Sequence, residues 1–385
     1  MKKIGLIGFG VVGRGAFEIL NKRKAEIKSY LNEDVEVVKI LVRNKDKAKD
    51  YAHLLANDFE DFLSADLDVV AEMTGDVEAS YKYIKTCLMR NISVVSSNKA
   101  VVSKYFEEFT QIANENNVAF LYESSVAAAI PCIEVLRRGI ISNEVSEVRG
   151  ILNGTSNFIL SKMFEEGKDY EEVLKTAQEL GYAEADPTDD VEGFDAMRKL
   201  NILSSIAAQK YVGEDNIVVR GISEISKKDV ECVKKVGATI KLIAVGNFKD
   251  NTFAVEPTIV KARSNFYNTN DALNLVEIDF NNAGTISLGG GGAGSLPTGD
   301  AVVRDILDVI SGNWYPVKIS GRVKTNNASI KHRYYVRTNK DLNEMKSIVE
   351  EVIEDGAEKI FITKEIEREE LIKKADPKDF FAKIL

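Results

Sequence analysis

Acidic side chains are concentrated in the segment from Ala177 to Lys199. Apolar residues at helical spacing precede Gly181, and Gly193 precedes a second helical stretch, so the acids lie in a loop between two helices. Asp195 and Lys199 are four residues apart and therefore share one face of the second helix. Carboxylates can hold a positively charged group, and a lysine can move a proton. A solvated acidic loop with a surface ion pair is the alternative.

The fixed positions of this segment are Ala177, Gly181, Asp186, Pro187, Asp189, Gly193, Asp195 and Lys199. Their spacing resembles the signature of the homoserine dehydrogenase family, and the chain resembles that family over roughly residues 1 to 320. The resemblance implies reversible hydride transfer between NADPH and the aldehyde of L-aspartate 4-semialdehyde, which gives L-homoserine. This reaction belongs to the biosynthesis of threonine, methionine and isoleucine.

The resemblance also implies catalytic roles. Lys199 is the expected general acid/base, Asp195 is expected to hold it, and Lys99 in the SSNKA segment is expected to orient the substrate from the cofactor side. Glu184 and Asp190 are expected to bind the substrate ammonium. The NGT loop, formed by Asn153, Gly154 and Thr155, resembles the family's substrate and cofactor loop, and helix capping by Thr155 or Ser156 is a compatible interpretation. The full set of predicted substrate contacts is Glu184, Asp190, Gly154, Thr155 and Tyr182.

The amino terminus has the pattern of a dinucleotide site. An aliphatic strand runs into a GxGxxG motif, and a helical stretch follows. The glycines of such a motif allow a tight turn, a close approach of the pyrophosphate, and close packing of helix on strand. The predicted cofactor contacts here are Gly8, Phe9, Gly10, Val11, Val12 and Gly13.

The end of the second strand indicates which nicotinamide cofactor is bound. Arg43 and Lys45 stand where NAD enzymes place an acid for the ribose hydroxyl, and cations suit a 2'-phosphate. NADP(H) is therefore the preferred cofactor, with NAD(H) as the alternative. A solvated basic turn that contacts no cofactor is the other interpretation of these two residues. Further predicted cofactor contacts lie at the ends of later strands: Thr74, Gly75, Ser97 and Lys99. A glycine run resembles the family's GAG segment and adds Gly292.

The stretch YESSVAAAIP resembles the family segment that holds a monovalent cation such as Na⁺ or K⁺ through one carboxylate and backbone carbonyls. Hard cations prefer such oxygen ligands. A plain turn of small residues before a helix is the alternative. The resemblance assigns the ligands to Glu123, Val126, Ala128 and Ile130.

The order of strands and helices predicts an α/β protein with an N-terminal Rossmann-type parallel sheet, a second α+β catalytic and dimerisation domain, and a short α+β tail. The expected domains are 1–131, 132–320 and 321–385, with the helix at about 293–312 returning to the nucleotide domain. The tail is expected to have the order strand, helix, strand, helix, with the first helix over 340–356 and a lysine-rich helix at the end. It is interpreted as an extra packing or oligomerisation element, or as a shortened ACT-like element.

Composition limits the remaining functions. A net charge of −9 argues against nucleic acid and anionic membranes as partners, and no apolar run approaches the length of a membrane span. Three scattered cysteines and two histidines have no metal or redox spacing. We expect a cytoplasmic homodimer or homotetramer that acts on a small-molecule substrate. The alternatives are a related NADP-dependent amino-acid or aldehyde reductase and a non-catalytic NADP-binding sensor.

Overall fold

The computed structural model describes residues 1–385, except for the side chain of Lys47. The chain folds into two compact units, each built from several stretches of sequence. The nucleotide unit comprises Met1–Ser142, Asn201–Gly213 and Gly290–Arg322. The substrate unit comprises Asn143–Leu200, Glu214–Gly289 and Val323–Leu385.

The described helices are, in chain order, α1 (Val11–Lys22), α2 (Lys24–Leu31), α3 (Phe59–Leu63), α4 (Val77–Met89), α5 (Lys99–Lys104), α6 (Phe106–Glu115), α7 (Cys132–Gly139), α8 (Gly154–Glu166), α9 (Tyr170–Glu179), α10 (Thr188–Val191), α11 (Phe194–Ala208), α12 (Lys227–Lys235), α13 (Ser295–Ser311), α14 (Leu342–Met345) and α15 (Arg368–Lys374). In the described part of the chain, none of them is long and apolar enough to cross a membrane.

The described strands are β1 (Lys2–Ile7), β2 (Val35–Leu41), β3 (Val69–Glu72), β4 (Ser93–Ser96), β5 (Phe120–Leu121), β6 (Val145–Ile151), β7 (Val218–Val219), β8 (Ala238–Asn247), β9 (Thr252–Lys261), β10 (Leu273–Phe280), β11 (Gly284–Gly291), β12 (Lys331–His332), β13 (Tyr334–Thr338), β14 (Val349–Asp355), β15 (Lys359–Thr363), β16 (Ile366–Glu367) and β17 (Phe380–Ile384).

The nucleotide unit contains a parallel sheet with the strand order β2-β1-β3-β4-β5. Its central strands are short aliphatic runs, as expected for strands that are buried on both faces. The strand order reverses at β1, and sheets of this kind bind ligands at that point, beyond the carboxyl ends of the strands. The predicted parallel sheet is confirmed.

Helix α13 packs against α1 through two glycines. A Cβ atom on Gly15 would lie 2.3 Å from the Ser295 carbonyl oxygen, and one on Gly299 would lie 2.6 Å from the Ala16 nitrogen. Only hydrogen in place of a side chain permits this approach of the two backbones. Val302 and Ile306 of α13 join the same buried core as β1.

The substrate unit contains a mixed sheet with the order β11-β10-β6-β8-β9-β17-β13-β15-β14, and β7 pairs with β9. Strands β8 and β9 form an antiparallel hairpin whose turn contains Asn251 at a φ of 54°. Asparagine tolerates this left-handed conformation better than most residues. The predicted second α+β region is therefore confirmed.

The tail differs from the sequence analysis. The helix expected over 340–356 was wrong, because α14 covers only Leu342–Met345 and Val349–Asp355 forms strand β14. Register shifts between Val349 and Glu351 and between Val352 and Glu354 interrupt the pairing of β14 with β15. Such bulges interrupt the alternation of apolar and polar residues by which a strand is recognised. The apolar residues of this segment therefore had the spacing of a helix.

Apart from the short separate pair of β12 and β16, the tail has the element order βαββαβ and the sheet order β17-β13-β15-β14, which is the arrangement of a complete ferredoxin-like module. The expected shortened form with two strands is corrected. Strand β17 also pairs in parallel with β9, at Lys383 opposite Thr258, so the tail extends the sheet of the substrate unit. The predicted domain boundaries and the role of the tail stay predictions.

Candidate active site

The glycine loop after β1 has the geometry that a dinucleotide requires. Gly8 has a φ of 91°, and a Cβ atom on it would lie 2.7 Å from the Met73 carbonyl oxygen. A Cβ atom on Gly13 would lie 2.4 Å from the Gly8 carbonyl oxygen. Both glycines are therefore needed for the fold. A Cβ atom on Gly10 would meet nothing within 4 Å, so at this position the glycine keeps open space beside the start of α1.

This loop lines a crevice of about 470 Å³ at the point where the strand order reverses. Val11 and Val12 belong to the first turn of α1. The amino end of such a helix favours negatively charged groups. Predicted cofactor residues that line the crevice are Gly8, Phe9, Gly10, Arg43, Thr74 and Gly75.

Both predicted phosphate-binding cations are exposed. Arg43 forms an ion pair of 3.1 Å with Asp76, and 82% of its side chain is accessible. The Lys45 ammonium lies 3.4 Å from the Asn57 side-chain oxygen. An exposed ion pair contributes little to stability, so Arg43 is able to exchange Asp76 for a ligand at small cost.

The other predicted cofactor residues lie at strand and helix ends. Ser97 follows β4, and Lys99 is the first residue of α5, which the Asn98 side chain caps. Gly292 lies between β11 and α13 in the same unit.

In the substrate unit, Lys199 and Asp195 form a buried ion pair on α11. The Lys199 ammonium donates to the Asp195 carboxylate at 2.7 Å and to the Leu152 carbonyl oxygen at 2.6 Å. Only 7% of Lys199 and 2% of Asp195 is exposed. The predicted spacing of four residues therefore produces a direct contact, and the solvated surface ion pair considered as an alternative is excluded.

Asn153 connects this pair to the acidic loop. Its side-chain nitrogen donates to Asp190 at 2.6 Å and to Asp195 at 2.8 Å, while its side-chain oxygen accepts from the Ser156 amide at 2.7 Å and caps α8. The sequence analysis placed Asn153 in the NGT loop but did not name it as a substrate contact, and it expected Thr155 or Ser156 to cap the helix. The position of Asn153 as the residue before a helix start, directly ahead of the predicted substrate contacts, was the available signal.

Three of the predicted substrate contacts are joined around the start of α8. The Thr155 hydroxyl donates to the Tyr182 carbonyl oxygen at 2.8 Å, and the Tyr182 ring stacks on Phe158 with centroids 4.4 Å apart. A Cβ atom on Gly154 would lie 2.9 Å from the Ala272 carbonyl oxygen, so this glycine allows α8 to approach the loop before β10.

The remaining acids of the loop differ in their partners. Asp186 accepts from Thr188, and Asp189 pairs with Arg198 at 2.7 Å. Among the residues that the structure describes, the Glu184 carboxylate makes no hydrogen bond or ion pair, and it is exposed. The structure therefore brings Asp190 into contact with the Lys199 group through Asn153 and leaves Glu184 in solvent.

The predicted cation segment contains a buried carboxyl. Glu123 accepts from the Ile133 and Glu134 amides at the start of α7, and its own amide donates to Asp305 at 2.9 Å. Burial, together with Asp305, raises the pKa of Glu123 to about 8, and burial raises the pKa of Asp305 to about 7. Two buried acids this close disfavour each other's ionisation.

The chain after Glu123 turns sharply through two alanines. Ala127 and Ala128 have φ angles of 54° and 50°, a conformation that costs energy for residues other than glycine. The Val126 carbonyl oxygen accepts from the Cys132 thiol at 3.8 Å, and that of Ile130 accepts from the Cys132 amide at 2.7 Å. The segment thus combines one carboxyl with backbone carbonyl groups, which are the oxygen ligands that hard cations prefer. Within the described residues, no group of three or more His, Cys, Asp or Glu side chains could hold a metal.

A crevice for a dinucleotide in one unit and a buried lysine in the other define the class of this protein as a nicotinamide-dependent oxidoreductase. Comparison with known proteins agrees. Residues 8–123 match the family model described as homoserine dehydrogenase, NAD binding domain, and residues 131–307 match the one described as homoserine dehydrogenase. The chain belongs to the homoserine dehydrogenase family.

Individual relatives support this assignment. The chain is 35% identical to a homoserine dehydrogenase of Bacillus subtilis over 314 residues, which cover 80% of this chain and 72% of the relative. A solved homoserine dehydrogenase from Thiobacillus denitrificans matches with a TM-score of 0.91 and 29% identity, over 100% of this chain and 98% of that one. A solved hyperthermophilic archaeal homoserine dehydrogenase mutant in complex with NADPH matches with a TM-score of 0.72 and 25% identity, over 83% and 100%.

The glycine loop allows binding and folding to be separated. We expect Gly10→Ala to raise the Kd of NADPH about tenfold, because the added methyl group occupies the open space beside the start of α1. Its melting temperature should change little. Gly13→Ala is the contrasting variant, which should lose stability as well, because its methyl group meets the Gly8 carbonyl. Fluorescence titration and thermal unfolding measure the two effects, and an unchanged Kd in Gly10→Ala would contradict this role of Gly10.

Proposed function

We propose that the chain catalyses the reversible NAD(P)-dependent interconversion of L-aspartate 4-semialdehyde and L-homoserine. The observation that carries this proposal is the buried Lys199 ammonium, which lies in the segment with the family signature and is held by Asp195 and Leu152. Membership of the homoserine dehydrogenase family supports the same reaction.

Lys199 is the proposed proton donor. An ammonium group has three N–H bonds, and two of them are directed to the Asp195 carboxylate and the Leu152 carbonyl. The third is available for the oxygen of the substrate aldehyde. When bound, the nicotinamide supplies the hydride to the aldehyde carbon, and Lys199 gives its proton to the alkoxide oxygen that forms. In the reverse direction, neutral Lys199 takes the hydroxyl proton of homoserine.

The neighbouring polar groups position the substrate and Lys199. Asp195 is fixed by Asn153 and stabilises the charged form of Lys199. Asp190, also held by Asn153, is the proposed partner of the substrate ammonium, and Glu184 is a second, solvent-exposed partner. The amides of Gly154 and Thr155 belong to the first turn of α8, where backbone N–H groups have no partner within the helix. They are proposed to bind the substrate carboxylate, and Lys99 is proposed to orient the substrate.

The test compares oxidation of NADPH with aspartate 4-semialdehyde in the wild type, in Lys199→Met and in the control Lys175→Met. We expect turnover in Lys199→Met to fall by about 10²- to 10⁴-fold, because the proton donor is lost, while the Kd of NADPH stays the same. Lys175 lies on the exposed face of α9, so its variant should behave as the wild type. Melting temperatures are measured in parallel, since Asp195 loses its ion-pair partner.

Each contrary result has a distinct meaning. Full turnover in Lys199→Met would exclude Lys199 as the proton donor. A wild type that reduces a different amino aldehyde would belong with the related reductases, and one that binds NADPH without oxidising it would be a sensor.

NADP(H) is the proposed preferred cofactor. Arg43 and Lys45 support this, since both are exposed cations near the crevice, and the archaeal relative is solved in complex with NADPH. We expect Arg43→Ala to lower the ratio of kcat/KM for NADPH to that for NADH about tenfold, because a charged contact to the 2'-phosphate is removed. Arg90→Ala, which removes another exposed arginine of this unit, is the control. An unchanged ratio would contradict the proposal.

A monovalent cation is proposed at Glu123, with the carbonyl groups of Val126, Ala128 and Ile130 as further ligands. The cation would offset the cost of burying an ionised Glu123. We expect NaCl or KCl to raise the melting temperature relative to choline chloride at equal ionic strength. A stabilisation of about 1.4 kcal/mol corresponds to a cation at ten times its Kd. Glu123→Gln should abolish the difference between the salts, and equal melting temperatures in all salts would contradict the site.

Assembly as a homodimer or homotetramer stays a prediction.

A further inference from the structure

A second buried carboxyl, that of Glu72, lies beside the nucleotide crevice. Glu72 is the last residue of β3, which pairs with β1 at the point where the strand order reverses, and it is fully buried. In the described residues its side chain contacts three hydroxyl groups and one backbone amide. A buried carboxyl needs hydrogen-bond partners, and here each of them belongs to a segment at the edge of the crevice.

The Glu72 carboxyl holds the loop that lines the crevice. Its Oε1 atom accepts from the Thr74 amide at 2.8 Å and lies 2.7 Å from the Thr74 and Ser80 hydroxyl oxygens. Its Oε2 atom accepts from the Ser96 hydroxyl at 2.9 Å. One side chain thus fixes the loop after β3, the first turns of α4 and the end of β4.

The same network extends to the start of α5. The Asn98 amide donates to the Ser96 hydroxyl, and the Asn98 side-chain nitrogen donates to the Ser80 hydroxyl, both at 3.2 Å. The Asn98 side-chain oxygen accepts from the Val101 amide and caps α5, whose first residue is Lys99. Two partners of Glu72 therefore hold the residue that immediately precedes Lys99.

The hydrogen count favours a neutral Glu72. The Thr74 hydroxyl, the Ser80 hydroxyl and Oε1 form a triangle in which each pair of oxygens is 2.7 Å apart. Three contacts need three hydrogens, but the two hydroxyls supply only two, because the Ser96 hydrogen is directed to Oε2. A protonated carboxyl supplies the third. Burial also raises the pKa of Glu72, which agrees with this count.

We propose that Glu72, as a neutral carboxylic acid, is a positioning residue for the nicotinamide cofactor, because it fixes the Thr74–Gly75 loop and the Asn98 cap of α5 in one arrangement. Glu72 acts through these groups and is not itself proposed to touch the cofactor. The inference rests on the proposed function, since it concerns the same cofactor crevice.

The test measures the Kd of NADPH by fluorescence titration in the wild type and in four variants. Glu72→Gln keeps a neutral polar group of the same shape, but one amide atom cannot both accept from the Thr74 amide and supply the third hydrogen of the triangle, so this variant should raise the Kd less than Glu72→Leu does. Glu72→Leu removes all four contacts and should raise the Kd more than about tenfold. Ser80→Ala, which removes one hydroxyl of the triangle, should give an intermediate value. Thr110→Val is the control, because its buried hydroxyl has no partner in the described structure.

Two further readouts separate positioning from general stability. A purely structural role would lower the melting temperature and the folded fraction but leave the Kd of the folded protein unchanged, and that result for Glu72→Leu and Ser80→Ala would overturn the proposal. Infrared spectra should show the carbonyl band of a protonated carboxyl in the wild type and lose it in Glu72→Gln. No such band in the wild type, or a band that persists in Glu72→Gln, would overturn the neutral form.

The two proposals fail independently, because the Kd is measured without substrate. A wild type that binds NADPH but does not oxidise it with aspartate 4-semialdehyde would refute the proposed function. The Kd values of the Glu72 and Ser80 variants would still decide whether Glu72 positions the cofactor.

Discussion

A buried ammonium group needs polar partners within the protein, and the substrate unit must provide them for Lys199. Its hydrogen bonds join helix α11 to the end of β6, and Asn153 extends the connection to the acidic loop. Removal of one member of such a buried pair typically costs about 3 to 5 kcal/mol, because the other charge stays buried. The arrangement that fixes the proposed proton donor is therefore also one on which the unit depends for its stability.

A second buried lysine supports the same region. The Lys241 ammonium donates to the Asn157 side chain, the Thr269 carbonyl and the Asn270 side chain at 2.7 to 3.0 Å. Burial lowers the pKa of Lys241 to about 8. Because Asn157 lies on α8, these contacts attach the helix that carries Gly154 and Thr155 to the loop before β10. The two lysines differ in that Lys199 has a carboxylate partner, whereas the described partners of Lys241 are neutral.

The nucleotide unit is organised by close backbone approaches instead of buried charge pairs. Gly8 and Gly13 bring the end of β1, the end of β3 and the start of α1 together, and Gly15 brings α13 onto α1. Polar groups then cluster at the carboxyl ends of the strands, where Glu72 and the hydroxyls around it satisfy one another. Such a network is stable only when every member is bonded, so it fixes the loops that it connects.

Features that depend on neighbours along the chain could be predicted from the amino-acid sequence. The glycine motif after a strand specifies a turn and a helix start, and Asp195 and Lys199 meet because residues four apart share a helix face. The signature segment also indicated the family. Which distant groups meet depends on the fold and could not be predicted: Asn153 and Asp195 are 42 positions apart, and Glu72 and Ser96 are 24 apart. The tertiary structure also decided that Val349–Asp355 is a strand, because pairing with β15 supplies backbone hydrogen bonds that outweigh a local helical spacing.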